Sequence, residues 1–334
     1  MIRSDFRAIT VADSPAMAEL LRSRQLLERS TFPFLQNRCL NTQYSVDVLE
    51  KLFGNNRVIG IGAFVNGNMV GYIMGEIKVD TFRGRHVWVP YEGIALREDQ
   101  SPELIRTLYA KVADSWLKQG CFVHYAVVPL GNQAYFEAFQ RLSFFIQQVH
   151  GVMNTGEYRP FAQVSDAKVR IADKADRKKM GQLSGIIQSY QNATPTFELV
   201  LPEMAADIKA GYEGTVEDGD MTVLLAEKDG EVLGFQIYGA ADPGLMLPDD
   251  SAELNVAGTC AGQMGTGVGK KLMNEGCALM RERGFRHIVA DWRITNLASS
   301  TFWPKCGFNP VAYRMARHID SNWAWASFDE AYIR

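Results

Sequence analysis

Three glycines at alternate positions, Gly265, Gly267 and Gly269, stand directly before a stretch with helical apolar spacing, Leu272, Met273, Gly276, Leu279 and Met280. Glycine allows a tight turn and a close backbone approach to a ligand. A helix N-terminus adds roughly half a positive charge, so this spacing makes a cradle for anionic oxygens such as those of a pyrophosphate. Two common phosphate loops do not fit. The triphosphate-binding pattern needs glycine at position 264 and a hydroxyl residue after Lys270, where Met264 and Lys271 stand. The pattern Gly-x-Gly-x-x-Gly needs glycine at 270 or 272, and Lys270 and Leu272 stand there.

The flanking sequence narrows the choice. An extended run from Glu253 to Cys260 leads into the loop. After the helix come Arg283-Gly284, a strand-like run Phe285 to Trp292, and a segment that opens at Asn296 and closes at Gly307-Phe308. This ordered set resembles the acetyl-coenzyme A region of the GNAT N-acetyltransferase superfamily. The resemblance implies transfer of an acetyl group from acetyl-CoA to a primary amine, by direct attack in a ternary complex. It also implies that the backbone of Met264, Gly265, Thr266, Gly267, Val268, Gly269 and Lys270 holds the pyrophosphate. Main-chain groups near Thr259 would pair with the pantetheine arm as a further strand would, and Asn296 would touch the far side of that arm. Asn296 is equally suited to cap its helix. Met264 departs from the family, which usually carries Gln or Arg there.

Acetyl transfer needs a base for the amine and an acid for the leaving thiolate. Glu253 lies fourteen residues before Gly267 on the strand that carries the loop, a spacing that resembles that of the catalytic glutamate in histone-type members. The alternative is an exposed glutamate at a strand end. Strand alternation puts Asn255, Ala257 and Thr259 on its face. The family often places a tyrosine four residues before the Gly of Gly-Phe, but Trp303 stands here, and an indole has no usable acidity. Tyr313 or a water then becomes the acid, or the thiolate leaves unaided, as its pKa of about 8.5 allows. Asp291, Trp292 and Arg293 either line the acceptor cleft or form a strand-end salt bridge. His124, His150, His287 and His318 lack metal-ligand spacing, so no metal is expected. The other functions open are a non-catalytic acyl-CoA-binding or sensing module, and an N-acyltransferase that uses a longer acyl-CoA or a protein amine.

The elements that must position these groups come in two copies. Arg7, Ala12, Asp13, Met17 and Leu20 recur 163 residues on as Arg170, Ala175, Asp176, Met180 and Leu183, and Leu108, Gly120, Asn132 and Phe144 recur 164 on as Leu272, Gly284, Asn296 and Phe308. The expected fold is α/β (α+β), two tandem GNAT-like mixed-sheet domains, with a degenerate copy at 1–155, a linker at 156–168 and the acetyl-CoA-binding copy at 169–334. Helices are expected near 14–25, 102–118, 177–189 and 267–282. Hairpins are expected at Asn66-Gly67 and Asp229-Gly230. In the first copy Ser101, Glu103 and Ile105 replace the glycines, and the Glu103 carboxylate would repel phosphate. Tyr91, Glu92, Tyr125 and Tyr135 are candidates for an acceptor wall. The tail residues Trp323, Trp325, Phe328 and Tyr332 are expected to cover an apolar seam.

Composition limits the partners. Net charge is −3 from 35 basic and 38 acidic residues, well mixed, which disfavours nucleic acid and anionic membranes. No apolar run reaches the roughly 18 residues of a membrane span. Five scattered cysteines suit reduced thiols. The expectation is a cytoplasmic monomer or homodimer acting on a small-molecule amine.

Overall fold

The computed structural model describes residues 5–55, 57–242, 244–324 and 326. Trp325, Phe328 and Tyr332 lie outside these, and Trp323 is half exposed. Among the described residues no helix is long and apolar enough to cross a membrane.

Two compact units divide the chain: one holds the chain up to Gln147 and the segment from Val311 onward, the other holds Gln148–Pro310. The first copy runs β1 (Asp5–Ala8), α1 (Ser14–Thr31), α2 (Thr42–Phe53), β2 (Val58–Val65), β3 (Asn68–Asp80), β4 (Gly84–Val89), β5 (Ile94–Leu96), α3 (Glu103–Lys118), β6 (Val123–Pro129), α4 (Gln133–Gln140) and β7 (Phe145–Asn154). The second runs β8 (Lys168–Ile171), α5 (Arg177–Leu183), α6 (Gly185–Asn192), α7 (Ala205–Gly214), β9 (Thr222–Lys228), β10 (Glu231–Ala240), β11 (Ser251–Thr259), α8 (Val268–Glu282), β12 (His287–Arg293), α9 (Leu297–Lys305) and β13 (Asn309–His318).

The sequence boundaries follow the repeat, but the packing does not follow them. Each unit takes its last strand from the other copy. In the first unit the order is β1-β2-β3-β4-β6-β13, with β5 also on β3, and Ala312–His318 pair antiparallel with Val123–Pro129. In the second it is β7-β12-β11-β10-β9-β8, and Gln148–Asn154 pair antiparallel with His287–Arg293. The two strands are repeats of each other, so their apolar pattern suits either edge, and local pattern cannot say which edge each one joins. Exchange of like elements is a low-cost arrangement for repeated domains.

Several repeated residues prove to be one device used twice. Arg7 binds Asp13 at 2.6 Å, and Arg170 binds Asp176 at 2.6 Å, each tying the first strand of a copy to the start of its first helix. Asn132 and Asn296 cap α4 and α9 through their side-chain oxygens. Both expected hairpins form, with left-handed backbone at Asn66 and Gly67 (51° and 79°) and at Asp229 and Gly230 (51° and 85°). The helix expected over 177–189 is broken at Ser184 into α5 and α6. The segment between β7 and β8, expected as a linker, is pinned to α8: the Asn274 side chain exchanges hydrogen bonds of 2.9 Å with the N–H and carbonyl of Phe161.

Helix α8 presses on β10 at Gly276, where an added Cβ would strike the Tyr238 hydroxyl and lie 2.8 Å from Gln236 Oε1. Gly211, inside α7, faces open space. Gly276→Ala should therefore destabilise the protein by about 1–3 kcal/mol through overpacking. Gly211→Ala should stabilise it by about 0.5–1 kcal/mol through helix propensity. Urea denaturation of both variants measures the contrast.

Candidate active site

The site begins where a strand pair ends. β11 and β12 run parallel, but only Ser251–Glu253 and His287–Val289 are paired. One residue later β11 bulges: Tyr238 faces Leu254 while Ile237 faces Val256, so Asn255 is left over. Beyond this point a cleft of ≈ 410 Å³ opens, lined by Leu254–Thr259 of β11, Ala290–Arg293 of β12, the glycine loop and α9.

The bulge corrects one expectation. An extra residue breaks strict alternation, so Glu253 shares its face with Val256 and Gly258, opposite Ile237 and Phe235, while Ala257 and Thr259 lie on the other face with Gln236 and Gly234. Asp291 follows Val289, the partner of Glu253, by two positions and so shares the Glu253 face.

The loop has the backbone its glycines permit. Gly265 and Gly267 adopt φ of 81° and 88°, and Gly267 is the residue from which α8 starts. A Cβ on Gly267 would sit 2.8 Å from the Ser165 amide nitrogen, whereas one on Gly269 would make only ordinary contacts, with the Phe302 ring at 3.5 Å and Thr259 Oγ1 at 3.8 Å. The first turn of any helix leaves its N–H groups without intrahelical acceptors. Met264, Gly265, Gly267, Val268, Gly269 and Lys270 all line the cleft, with Met264 exposed and Val268 buried. Thr266 does not; its hydroxyl donates 2.8 Å back to the Gln263 carbonyl and closes the loop on itself. Lys270 Nζ stands 5.4 Å over the Phe161 ring. Thr259 lines the cleft, and its carbonyl accepts a 3.4 Å hydrogen bond from Tyr190. Asn296 lines the cleft and also accepts from Ser299 N at 3.1 Å, so it is a helix cap in any case.

The candidate catalytic groups fall differently. Glu253 is the last residue of β11 paired with β12 and is half-buried; burial first, then Asp291 and Asp242, push its carboxyl above the ordinary glutamate range. It is not among the residues that line the cleft. Tyr313 belongs to the first unit, packed edge-on against Phe136 at 5.5 Å, and is not among the cleft-lining residues either. Trp303 lines the cleft and packs on Phe302 and Phe308 at 5.0 and 5.5 Å. Asp291, Trp292 and Arg293 all line the cleft, and of the three Arg293 makes the expected ion pair. Asp291 accepts a hydrogen bond from Gln148, and Arg293 meets Glu198 at two points. Glu198, Tyr190 and Phe302 were not singled out from sequence, because their roles depend on contacts between distant segments.

Residues 186–308 match the sequence model of the acetyltransferase (GNAT) family. They form a GNAT domain. No curated protein matches the chain. Among solved structures the whole chain is similar to a GCN5-related N-acetyltransferase from Sphaerobacter thermophilus, at 10% identity and TM-score 0.62, over 94% of this chain and 95% of that one. It is also similar to a tandem GNAT protein from the clavulanic acid biosynthesis pathway, at 13% identity and TM-score 0.51, over 94% and 97%. A third is a GNAT-family acetyltransferase from Colwellia psychrerythraea, at 14% identity and TM-score 0.50, over 95% and 100%. At such identities the likeness shows the fold, and that fold is the tandem GNAT fold.

The first copy places side chains where the GNAT domain has its cleft. Gly71 pairs with Leu96 as Gly234 pairs with Thr259, so Leu96 stands where the GNAT domain has Thr259. Likewise Trp88 pairs with Tyr125 as Glu253 pairs with Val289, which puts Trp88 in the place of Glu253. By the repeat offsets, Ile187, Gln191 and Ser299, which line the GNAT cleft, become Arg24, Glu28 and Tyr135. Arg24 Nη1 donates to the carbonyls of Tyr91, at 2.7 Å, and Ile94, and the Leu96 N–H donates to the Tyr135 hydroxyl at 2.9 Å. The strand groups that would meet a ligand are thus satisfied from within. Tyr91, Tyr125 and Tyr135 are buried. Glu103 is ion-paired with Arg106 and Arg141 at 2.6 and 2.5 Å, which offsets the charge expected to repel phosphate.

Gly267→Ala should lower the melting temperature by several degrees, since it forces an L-residue into left-handed backbone against Val164–Ser165. Gly269→Ala should leave it within about 0.5 kcal/mol of wild type. Differential scanning calorimetry of the two variants tests this assignment of strain within the loop.

Proposed function

We propose that the GNAT domain is an N-acetyltransferase that moves an acetyl group from acetyl-CoA to the primary amine of a small molecule. The observation that carries the proposal is the fork between β11 and β12, which exposes strand backbone beside a glycine loop at a helix N-terminus. A pantetheine arm carries amides that can pair with such a strand, and a pyrophosphate matches the loop's amides. Backbone of Met264, Gly265, Gly267, Val268, Gly269 and Lys270 would hold the phosphates. Thr259 and Asn296 would flank the arm. Only the second copy is assigned this role, because Arg24 and Tyr135 fill the equivalent place in the first.

The amine attacks the thioester carbonyl, the nitrogen–carbon bond forms, the carbon–sulfur bond breaks, and the amine's proton goes to Glu253. A carboxylate with a raised pKa is the stronger base for this task. Asp291, on the same face, adds negative charge that favours a cationic acceptor. With Tyr313 not among the cleft-lining residues and Trp303 unable to serve as an acid, the thiolate leaves with a proton from water or unaided. Four unpaired cysteines, Cys121, Cys260, Cys277 and Cys306, support a cytoplasmic setting.

Trp303 favours one other function, an acyl-CoA-binding module without turnover. Amine-dependent release of free thiol from acetyl-CoA separates the two. For the enzyme, kcat/KM should fall as pH falls through the Glu253 pKa, because the base must be ionised. The midpoint should lie above the ordinary glutamate value. Glu253→Gln should cost about 10²–10⁴ in kcat and abolish that acid limb. A variant that retains wild-type rates and the wild-type profile would remove Glu253 from the mechanism.

A further inference from the structure

The filled place in the first unit carries more polarity than filling requires. Arg24 is 3% exposed and stacks on the Tyr91 ring with its guanidinium carbon 4.5 Å from the centroid. Its Nη1 edge is spent on the Tyr91 and Ile94 carbonyls, but Nε and Nη2 have no partner among the described residues. Four residues on, one turn along α1, Glu28 is fully buried. Its Oε2 accepts from the Gly131 N–H at 2.8 Å, and its Oε1 has no partner among the described residues. Among the described residues no ion pair joins Arg24 to Glu28; each feels the other's charge without a direct hydrogen bond.

We propose that the Nε/Nη2 edge of Arg24 is a binding site for the carboxylate group of a small anion, distinct from the cleft of the second copy. Those two N–H groups lie side by side in one plane, the spacing that a carboxylate's two oxygens match in a bidentate pair. A buried guanidinium edge with no acceptor is costly, and a bound carboxylate removes that cost while balancing the charge. The neighbours choose among anions. Burial, against the pull of Arg24 and the Gly131 N–H, pushes the Glu28 carboxyl above its usual range, and beside that acidic group a monoanion meets less repulsion than a phosphate dianion with its second charge. The aromatic face of Tyr91 beneath the guanidinium holds the plane of the pair in place. The site lies wholly within the first unit and does not rest on acetyl transfer by the second.

Acetate is the probe, with acetamide as its uncharged counterpart and chloride to hold ionic strength. Acetate should bind saturably by isothermal titration and raise the melting temperature, and acetamide should do neither. Arg24→Lys keeps the charge but not the paired donors, and should weaken acetate by at least about tenfold. Glu28→Gln, which carries no charge, should retain binding. Equal effects of acetate and acetamide, or wild-type acetate affinity in Arg24→Lys, would overturn the proposal. If Arg24→Lys does not fold, a crystal grown in acetate decides: a carboxylate on Nε and Nη2 supports the site, and water alone on that edge refutes it.

Discussion

Three residues of parallel pairing between β11 and β12 govern the second copy. While the ladder lasts, each strand's backbone is satisfied by the other; once Asn255 bulges out and the strands part, several residues of β11 are left facing a cleft. Backbone polar groups need partners. A ligand with its own amides can supply them, and in the first copy a buried arginine and a tyrosine supply them instead. The same constraint thus has two solutions in one chain, one open and one closed.

The ends of the cleft differ in charge. At the loop, left-handed glycine backbone and unpaired helix N–H groups make a positive end with Lys270 beside it. At the fork, Asp291 lines the cleft and Glu253, outside the lining, shares its face; burial first, then the Asp291 and Asp242 charges, raises Glu253. The Arg293–Glu198 ion pair ties the segment after α6 to the end of β12 beside the cleft.

Much of this was legible in the sequence wherever the signal is local. The glycine spacing gave the loop and the start of α8, Asn-Gly and Asp-Gly gave the hairpins, and the repeated Arg and Asp marked an ion pair before either partner was seen. What stayed hidden depends on residues far apart. The exchange of β7 and β13 is invisible because the two strands carry the same pattern. The bulge at Asn255 has no glycine to announce it, so the face assigned to Glu253 was right only for the residue itself. Tyr313 was chosen by type, without the pairing that seats it on Phe136. The Glu103 carboxylate, expected to repel phosphate, is paired with two arginines, and the residues that occupy the place of the cleft, Arg24 and Tyr135, sit on α1 and α4, far from each other in sequence.

The central claim is that one copy of the fork is open and the other is closed from within. The stoichiometry of acetyl-CoA binding tests it most directly, measured by isothermal titration on wild type and on Gly269→Glu. That substitution places a carboxylate in the first turn of α8 at a position with room for a side chain, and an acidic residue there suits the helix dipole, so folding should survive. One equivalent bound by the wild type and none by the variant is the expected result. Two equivalents, or a variant that binds as the wild type does, would contradict it.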